Sequence, residues 1–154
     1  MKIASITVFC NEDFRLNDWV NYYSEYKGDI SLHVIVNNGR KEDTQMLKKT
    51  FPDSIVLESD GGNFLRACNT GMKYVLEDKE IDAILQVTND VKFEGGAIKK
   101  MYDVLYSDCK LAIVGPVLLK KDSNKVEVFG IDVPNKKIRT GGGANLPISR
   151  PIFR

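Results

Sequence analysis

Two patterns of apolar residues alternate along this chain. The first is a short run rich in β-branched residues, such as IASITVF at 3–9, which predicts a strand buried on both faces. The second is helical spacing. Leu16, Trp19, Val20 and Tyr23 stand at i, i+3, i+4 and i+7, which predicts a helix with one buried side. Together the patterns predict strands at 3–9, 32–36, 55–57, 81–87 and 111–119, and helices at 16–28, 42–51, 64–77 and 93–108.

This alternation favours one fold class. Parallel strands need connections of about helix length, so the chain is predicted to have an α/β, Rossmann-like fold: a mostly parallel sheet with helices on both faces. After residue 119 the pattern changes. Short alternating runs at 126–133 and 137–139 flank Pro134-Asn135 and predict a β-hairpin, and ANLPISRPIFR at 144–154 predicts no further element. We expect one domain, 1–154, with a core at 1–119 and a hairpin and irregular tail at 120–154.

Composition and charge exclude some classes of binding partner but identify none. The chain has 154 residues, of which 43% are hydrophobic and 28% charged, as is typical of a globular protein with a buried core. Its 22 basic and 21 acidic side chains give a net charge of +1, and no run of lysine and arginine exceeds two residues. We therefore expect neither a nucleic-acid partner nor a polybasic membrane patch.

Cysteine use and the first residues bear on the compartment. Cys10, Cys68 and Cys109 stand far apart without a C-x-x-C pair, and His33 is the only histidine, so no zinc site is predicted. The start, MKIASITVFC, has too short an apolar run for a signal peptide or a transmembrane segment. We expect a reduced, cytoplasmic environment.

Polar residues follow each of the first four predicted strands. Because the carboxyl ends of parallel strands meet at one edge of a sheet, these residues are expected to line one crevice, where open α/β sheets bind their ligands. Glycines before a predicted helix also suit an anion, although a tight structural turn explains the same residues. We therefore expect a nucleotide-type ligand at this edge. The residues concerned are Cys10, Asn11 and Glu12; Asn37, Asn38 and Gly39; Asp60, Gly61, Gly62 and Asn63; and Thr88, Asn89 and Asp90.

Asp90 is the candidate metal ligand. It follows a continuous apolar strand, from which its carboxylate can project into the crevice. Mg²⁺ takes oxygen ligands and often uses one or two carboxylates together with substrate phosphates. An Asx turn after a strand is the alternative interpretation of this aspartate.

An ordered set of motifs resembles a known family. The stretches are TVFCNED, VIVNNGRKEDT, GGNFLRACNTGMKYVL, ILQVTNDVKF and AIVGPVLL, spanning about residues 3 to 119. In this order they resemble the nucleotide-sugar-binding half of inverting family-two glycosyltransferases, which have the A-type fold. The second stretch stands where the family usually has an aspartate, and the fourth where it has a D-x-D or N-N-D metal motif.

The resemblance implies a role for each matching residue. The backbone of Thr7, Val8 and Phe9 and the side chain of Asn11 would border the base and ribose. Asn37 stands in the place of the base-contacting aspartate, a departure that leaves the base open. Asn63 stands where glycine is common, and Asn69 matches a helix asparagine that orders the loop. The set of nucleotide-sugar-binding residues is Thr7, Val8, Phe9, Asn11, Asn37, Gly39, Gly62, Asn63, Arg66, Asn69, Thr88, Asn89 and Asp90, with Asp90 as the metal ligand.

The activity that the resemblance implies is transfer of a sugar from a UDP-, GDP- or dTDP-linked donor, with inversion, to an acceptor glycan or other hydroxyl compound. The cofactor would be Mn²⁺ or Mg²⁺. No segment matches the family's acidic catalytic base, so none is assigned. Two alternatives stay open: a binding module of the same fold without a complete acceptor site, and an unrelated doubly wound domain of the flavodoxin or receiver type.

Overall fold

The structure is a computed structural model that describes residues 1–119, 125–128 and 152–153. Eight strands and four α-helices form in it. The strands are β1 (Ile3–Phe9), β2 (Leu32–Asn37), β3 (Ile55–Glu58), β4 (Ala83–Gln86), β5 (Ile113–Val114), β6 (Leu118–Leu119), β7 (Val126–Val128) and β8 (Ile152–Phe153). The helices are α1 (Leu16–Tyr26), α2 (Asp43–Thr50), α3 (Phe64–Leu76) and α4 (Ala97–Ser107), and 3₁₀ turns at Asp13–Arg15 and Lys27–Asp29 flank α1.

Six strands form one sheet in the order β3-β2-β1-β4-β8-β5. The first four are parallel: Thr7 pairs with Ile35 of β2, and Ile6 pairs with Gln86 of β4. β8 runs antiparallel between β4 and β5. The prediction of a mostly parallel, Rossmann-like sheet is confirmed.

Helices cover both faces of this sheet, because all seven residues of β1 are buried and successive side chains point to opposite faces. The odd-numbered residues of β1 face α1, α2 and α4, while the even-numbered ones face α3. On the first face the packed side chains include Ile3, Phe9, Trp19, Leu47, Leu85 and Leu105. On the second they include Ile6, Val36, Ala67 and Val75.

The end of the described chain differs from the prediction. The single strand expected at 111–119 is two short strands, β5 and β6, separated by Gly115-Pro116-Val117. Proline has no N–H to donate to a strand ladder, so continuous pairing stops there. β6 pairs antiparallel with β7, and β8 joins the sheet where no element was expected. The rest of the predicted hairpin, including Pro134-Asn135, and most of the predicted tail lie outside the described residues.

Within the part of the chain that the structure describes, no helix has the length and apolar character needed to cross a bilayer.

Candidate functional site

The crevice of this sheet lies between β1 and β4. From β1 the chain runs outward through β2 to β3 and then returns to β4 on the other side of β1, so the direction of winding reverses there. Ligands of open α/β sheets bind at such a reversal, beyond the carboxyl ends of the strands. β4 pairs with β1 only as far as Ile6, so the last three residues of β1, Thr7–Phe9, extend beyond β4.

The side chains of Thr7, Val8 and Phe9 are all buried. The Thr7 hydroxyl lies 3.4 Å from Nε2 of His33, Val8 packs on the α3 face, and Phe9 stacks with Trp19 at 6.0 Å between ring centroids. Only the backbone of this segment, as the resemblance implied, is therefore a candidate for ligand contact.

Two loops meet where β1 and β2 end. Asn11 has a φ of 54°, a left-handed conformation that asparagine tolerates, and its Oδ1 accepts a 3.0 Å hydrogen bond from the backbone N–H of Arg40. Gly39 lies directly beside it. A Cβ at Gly39 would stand 3.0 Å from the backbone nitrogen of Asn11 and collide with its side chain. Glycine is therefore required for this close approach of the two loops.

Arg40 holds the same two loops together by its side chain. The guanidinium donates two hydrogen bonds to Asp43, of 3.2 and 3.0 Å, and one of 2.5 Å to Asp13. Asp43 is buried, whereas Asp13 is exposed. The hydrogen bonds with Asp43 and Asp13 raise the pKa of Arg40 above its usual range. Arg40 was not among the predicted site residues, although its position just after β2 was available as a signal.

Asn37 lies at the end of β2 with its side chain turned back into the protein. It is 3% exposed. Its Nδ2 donates to the carbonyl oxygen of Arg40 at 2.8 Å and to Oγ1 of Thr44 at 3.0 Å, and its Oδ1 accepts from the N–H of Gly39 at 3.0 Å. Both amide hydrogens and the amide oxygen are thus used to shape the 37–40 turn. With the turn in this conformation, Asn37 has no amide hydrogen free to donate to a nucleotide base, which is the contact predicted for it.

The loop after β3 is a glycine turn that begins α3. Gly61 and Gly62 have φ values of 85° and 119°, which strongly favour glycine. Asn63 caps α3, because its Oδ1 accepts from the N–H of Arg66 at 3.1 Å. The loop also contacts its neighbour: Nδ2 of Asn38 donates to the carbonyl oxygen of Gly62 at 3.3 Å.

Arg66 and Asn69 lie one helical turn apart on α3 and are both exposed. The side of α3 that packs on the sheet is formed by Ala67, Cys68 and Gly71. Asn69 therefore points away from the sheet, and the structure does not bring it to the crevice with the other predicted residues. Arg66 is in the first turn, next to Gly62, at the rim of the crevice.

Side chains of the loop after β4 contact side chains that follow β1. The Thr88 hydroxyl donates to Oδ1 of Asp90, and Nδ2 of Asn89 donates to Oε2 of Glu12. Nη1 of Arg15 donates to Oδ2 of Asp90 at 3.1 Å. Asn89 is buried, whereas Asp90 is exposed. Two side-chain contacts therefore join the loop after β1 to the loop after β4, and sequence reasoning did not single out Arg15.

Five buried side-chain polar atoms have no hydrogen-bond partner among the described residues, and three of them belong to residues at the carboxyl ends of the strands or in the loops that follow: Oδ1 of Asn38, Oγ of Ser59 and Oε1 of Gln86. The other two are Oγ of Ser5 and Nε1 of Trp19. Most buried polar atoms in proteins are paired, so each unpaired one is a candidate for contact with a ligand or water.

The described residues contain no ready-made metal cage. Among residues 1–119, 125–128 and 152–153, no group of three or more His, Cys, Asp or Glu side chains could hold a metal ion. The loops after β1 and β4 offer oxygen donors in the carboxylates of Asp90 and Glu12 and the hydroxyl of Thr88. A cation here would take one or two ligands from the protein and the rest from water or a ligand.

Solved structures share the fold at low sequence identity. The 4-diphosphocytidyl-2C-methyl-D-erythritol synthase of Anaerococcus prevotii DSM 20548 is 14% identical with a TM-score of 0.56, and the match covers 99% of this chain and 69% of the synthase. A second 4-diphosphocytidyl-2C-methyl-D-erythritol synthase is 15% identical with a TM-score of 0.58, over 82% of this chain and 67% of that one. No protein-family model matches the chain, and no curated protein matches its sequence.

These matches establish a shared α/β, Rossmann-like fold. They are to synthases whose names contain a nucleotidyl group, and they are not specific to family-two glycosyltransferases. The matches therefore define the fold class of the protein and do not define its activity.

Proposed function

We propose that this chain binds a nucleoside diphosphate sugar together with a divalent cation at the carboxyl edge of β1–β4, and transfers the sugar to an acceptor hydroxyl with inversion. One observation carries the proposal. Four polar loops after four parallel strands are hydrogen-bonded to one another around the β1–β4 crevice, and the carboxylate of Asp90 lies on its surface.

The donor set fits Mg²⁺ or Mn²⁺ only as a site completed by substrate. Asp90 supplies a carboxylate, and Thr88 and Glu12 supply nearby oxygens. Hard cations commonly keep several waters and bind through one or two carboxylates plus phosphate oxygens. When bound, the cation would neutralise charge that develops on the diphosphate leaving group.

The chain's own residues would bind and orient the donor. The backbone of Thr7–Phe9 and the exposed side chain of Asn11 stand nearest the crevice on the β1 side. The 37–40 turn, held by Asn37 and Gly39, forms its wall on the β2 side. The turn at Gly62 and Asn63 presents the first N–H groups of α3, which favour an anion. No described residue is assigned as the base that deprotonates the acceptor.

Two rival functions are distinguishable. A non-catalytic module would bind the same donor without turning it over. Nucleotidyl transfer, in which a nucleoside triphosphate is the substrate, is favoured by the matches to synthases whose product name contains a diphosphocytidyl group. A cytidine nucleotide would then bind more tightly than a uridine or guanosine nucleotide.

Isothermal titration calorimetry of UDP, GDP, dTDP, CDP and CTP, each with and without Mn²⁺, tests the proposal. We expect at least one diphosphate to bind, and to bind more tightly with Mn²⁺. Asp90→Asn should remove the effect of Mn²⁺ with little change in thermal stability, because Asp90 is a surface residue. Asp103→Asn, at an exposed aspartate on α4, is the control and should behave like the wild type.

The outcomes separate the three functions. Binding of no nucleotide, or binding that is insensitive to both Mn²⁺ and Asp90→Asn, would contradict the proposal. Release or transfer of sugar from a bound donor would identify a glycosyltransferase, and binding without turnover would identify a module. Preference for CTP with release of pyrophosphate would identify nucleotidyl transfer.

A further inference from the structure

Arg15 is a basic residue at the crevice that the proposed function does not yet use. It is the last residue of the 3₁₀ turn at Asp13–Arg15, directly before α1, and its guanidinium reaches from the loop after β1 to Asp90 after β4. We propose that Arg15 binds the diphosphate of the donor, and that its ion pair with Asp90 holds it in place until a cation takes that carboxylate. This inference rests on the proposed function.

The Arg15–Asp90 pair is accessible and therefore replaceable. The two side chains are 41% and 42% exposed. Ion pairs between such groups contribute little to stability because water solvates both charges well, so a ligand can displace one partner. An incoming anion and cation can reach both side chains from solvent.

The cation and Arg15 would compete for the same carboxylate, that of Asp90. Oδ2 of Asp90 accepts from Arg15, and Oδ1 accepts from the Thr88 hydroxyl. A divalent cation on this carboxylate would take an oxygen that is now hydrogen-bonded, and it would repel the neighbouring guanidinium. Occupation of Asp90 by the cation therefore weakens the hold on Arg15.

Once released from Asp90, the guanidinium of Arg15 could bind the diphosphate of a donor in the same crevice. Its planar set of donors matches phosphate oxygens in a bidentate manner, which a lysine ammonium cannot do. Arg40, the arginine of the neighbouring loop, is already bound by Asp43 and Asp13 through three hydrogen bonds. Among the residues that the structure describes, Asp90 is the one ion-pair partner of Arg15, and the cation itself would take over this carboxylate.

The test uses Arg15→Gln, Arg15→Lys and a control in the full chain. Mn²⁺ alone is titrated and its free concentration is followed by electron paramagnetic resonance. UDP and CDP are then titrated calorimetrically in saturating Mg²⁺. Lys99→Gln removes the same charge from an exposed ion pair on α4 and should change neither affinity. Circular dichroism melting confirms that each variant is folded.

We expect opposite shifts in the two affinities. Arg15→Gln should tighten Mn²⁺ binding roughly two- to fivefold, because the competing cation is gone. It should weaken diphosphate binding about tenfold or more, because a charge-assisted hydrogen bond is lost. Arg15→Lys should give intermediate diphosphate affinity. A residue that only supports the fold would shift both affinities in the same direction.

Equal Mn²⁺ affinity in the wild type and Arg15→Gln, or unchanged diphosphate affinity, would overturn the role of Arg15. If the wild type binds a diphosphate, that result leaves the proposed function standing. If the wild type binds none, both proposals fall together.

Discussion

His33 shows how completely single polar residues can be enclosed in this core. It is 2% exposed within β2 and stacks on Tyr23 at 4.4 Å between ring centroids. Its Nδ1 lies 2.8 Å from Oγ of Ser54, and its Nε2 lies 3.4 Å from the hydroxyl of Thr7. Burial lowers the pKa of His33 from its usual 6.5 to about 3, because the charged imidazolium would lose its hydration.

The buried histidine makes the stability depend on pH. Since the folded-state pKa lies below the unfolded-state value, the unfolded chain takes up a proton below pH 6.5 while the folded chain does not. The contribution of neutral His33 is therefore present above pH 6.5 and is lost as the pH falls toward 3. Between pH 7.5 and 5, wild type should lose about 2 kcal/mol more unfolding free energy than His33→Gln.

Urea denaturation at pH 7.5, 6.5 and 5 measures this difference for both proteins. Glutamine retains a polar group for Ser54 and does not ionise, so it isolates the titration from the loss of packing. Parallel pH profiles for the two proteins would show that His33 does not titrate as its burial requires.

Asn37 shows that a sequence pattern predicts the position of a residue but not the direction of its side chain. Its position at the carboxyl end of β2 follows from the apolar run before it. The direction of its side chain depends on the Arg40 carbonyl and the Thr44 hydroxyl. Those contacts arise only when the turn and α2 are both in place, and no local pattern of residues encodes them.

At the scale of the elements, the beginning of α3 combines three local signals. Gly61 and Gly62 turn the chain through positive φ, and Asn63 then caps the helix. The following apolar residues at helical spacing face the sheet. All three signals are local, which is why the helix and its first residue could be predicted from the sequence.

The cap makes a testable contribution to stability. Asn63→Ala should lower the free energy of unfolding by about 1 kcal/mol, because the N–H of Arg66 loses its acceptor. Asn63→Ser should restore most of it. Asn69→Ala, on the exposed side of the same helix, should be neutral or raise stability by about a few tenths of a kcal/mol through helix propensity. Equal urea midpoints for Asn63→Ala and wild type would contradict the capping role.

Elements far along the chain were predicted less well than the first four strands. The expected strand at 111–119 is interrupted at Gly115-Pro116, a signal that was present in the sequence. β8 could not be predicted in the same way. It has two residues, and it is defined by pairing with β4, about 70 positions earlier, and with β5. Periodicity carries no information about such distant partners.

At the scale of the whole molecule, parallel winding makes the location of the site predictable. Once β1–β4 were expected to be parallel, their following loops had to share one edge, and the structure has them hydrogen-bonded to one another. The links that join them across the crevice, Glu12 to Asn89 and Arg15 to Asp90, span more than 70 positions. They depend on side-chain conformations that a single sequence does not reveal.

Nuclear magnetic resonance of the ¹⁵N-labelled chain tests most directly whether this edge is the binding site. The nucleoside diphosphate with the highest calorimetric affinity is added with Mg²⁺, and a trace of Mn²⁺ is then introduced. We predict amide shifts concentrated at 10–12, 37–40, 60–63 and 88–90, with paramagnetic broadening strongest around Asp90. Shifts concentrated at the opposite end of β2, near 28–32, or broadening centred away from 88–90, would contradict the account.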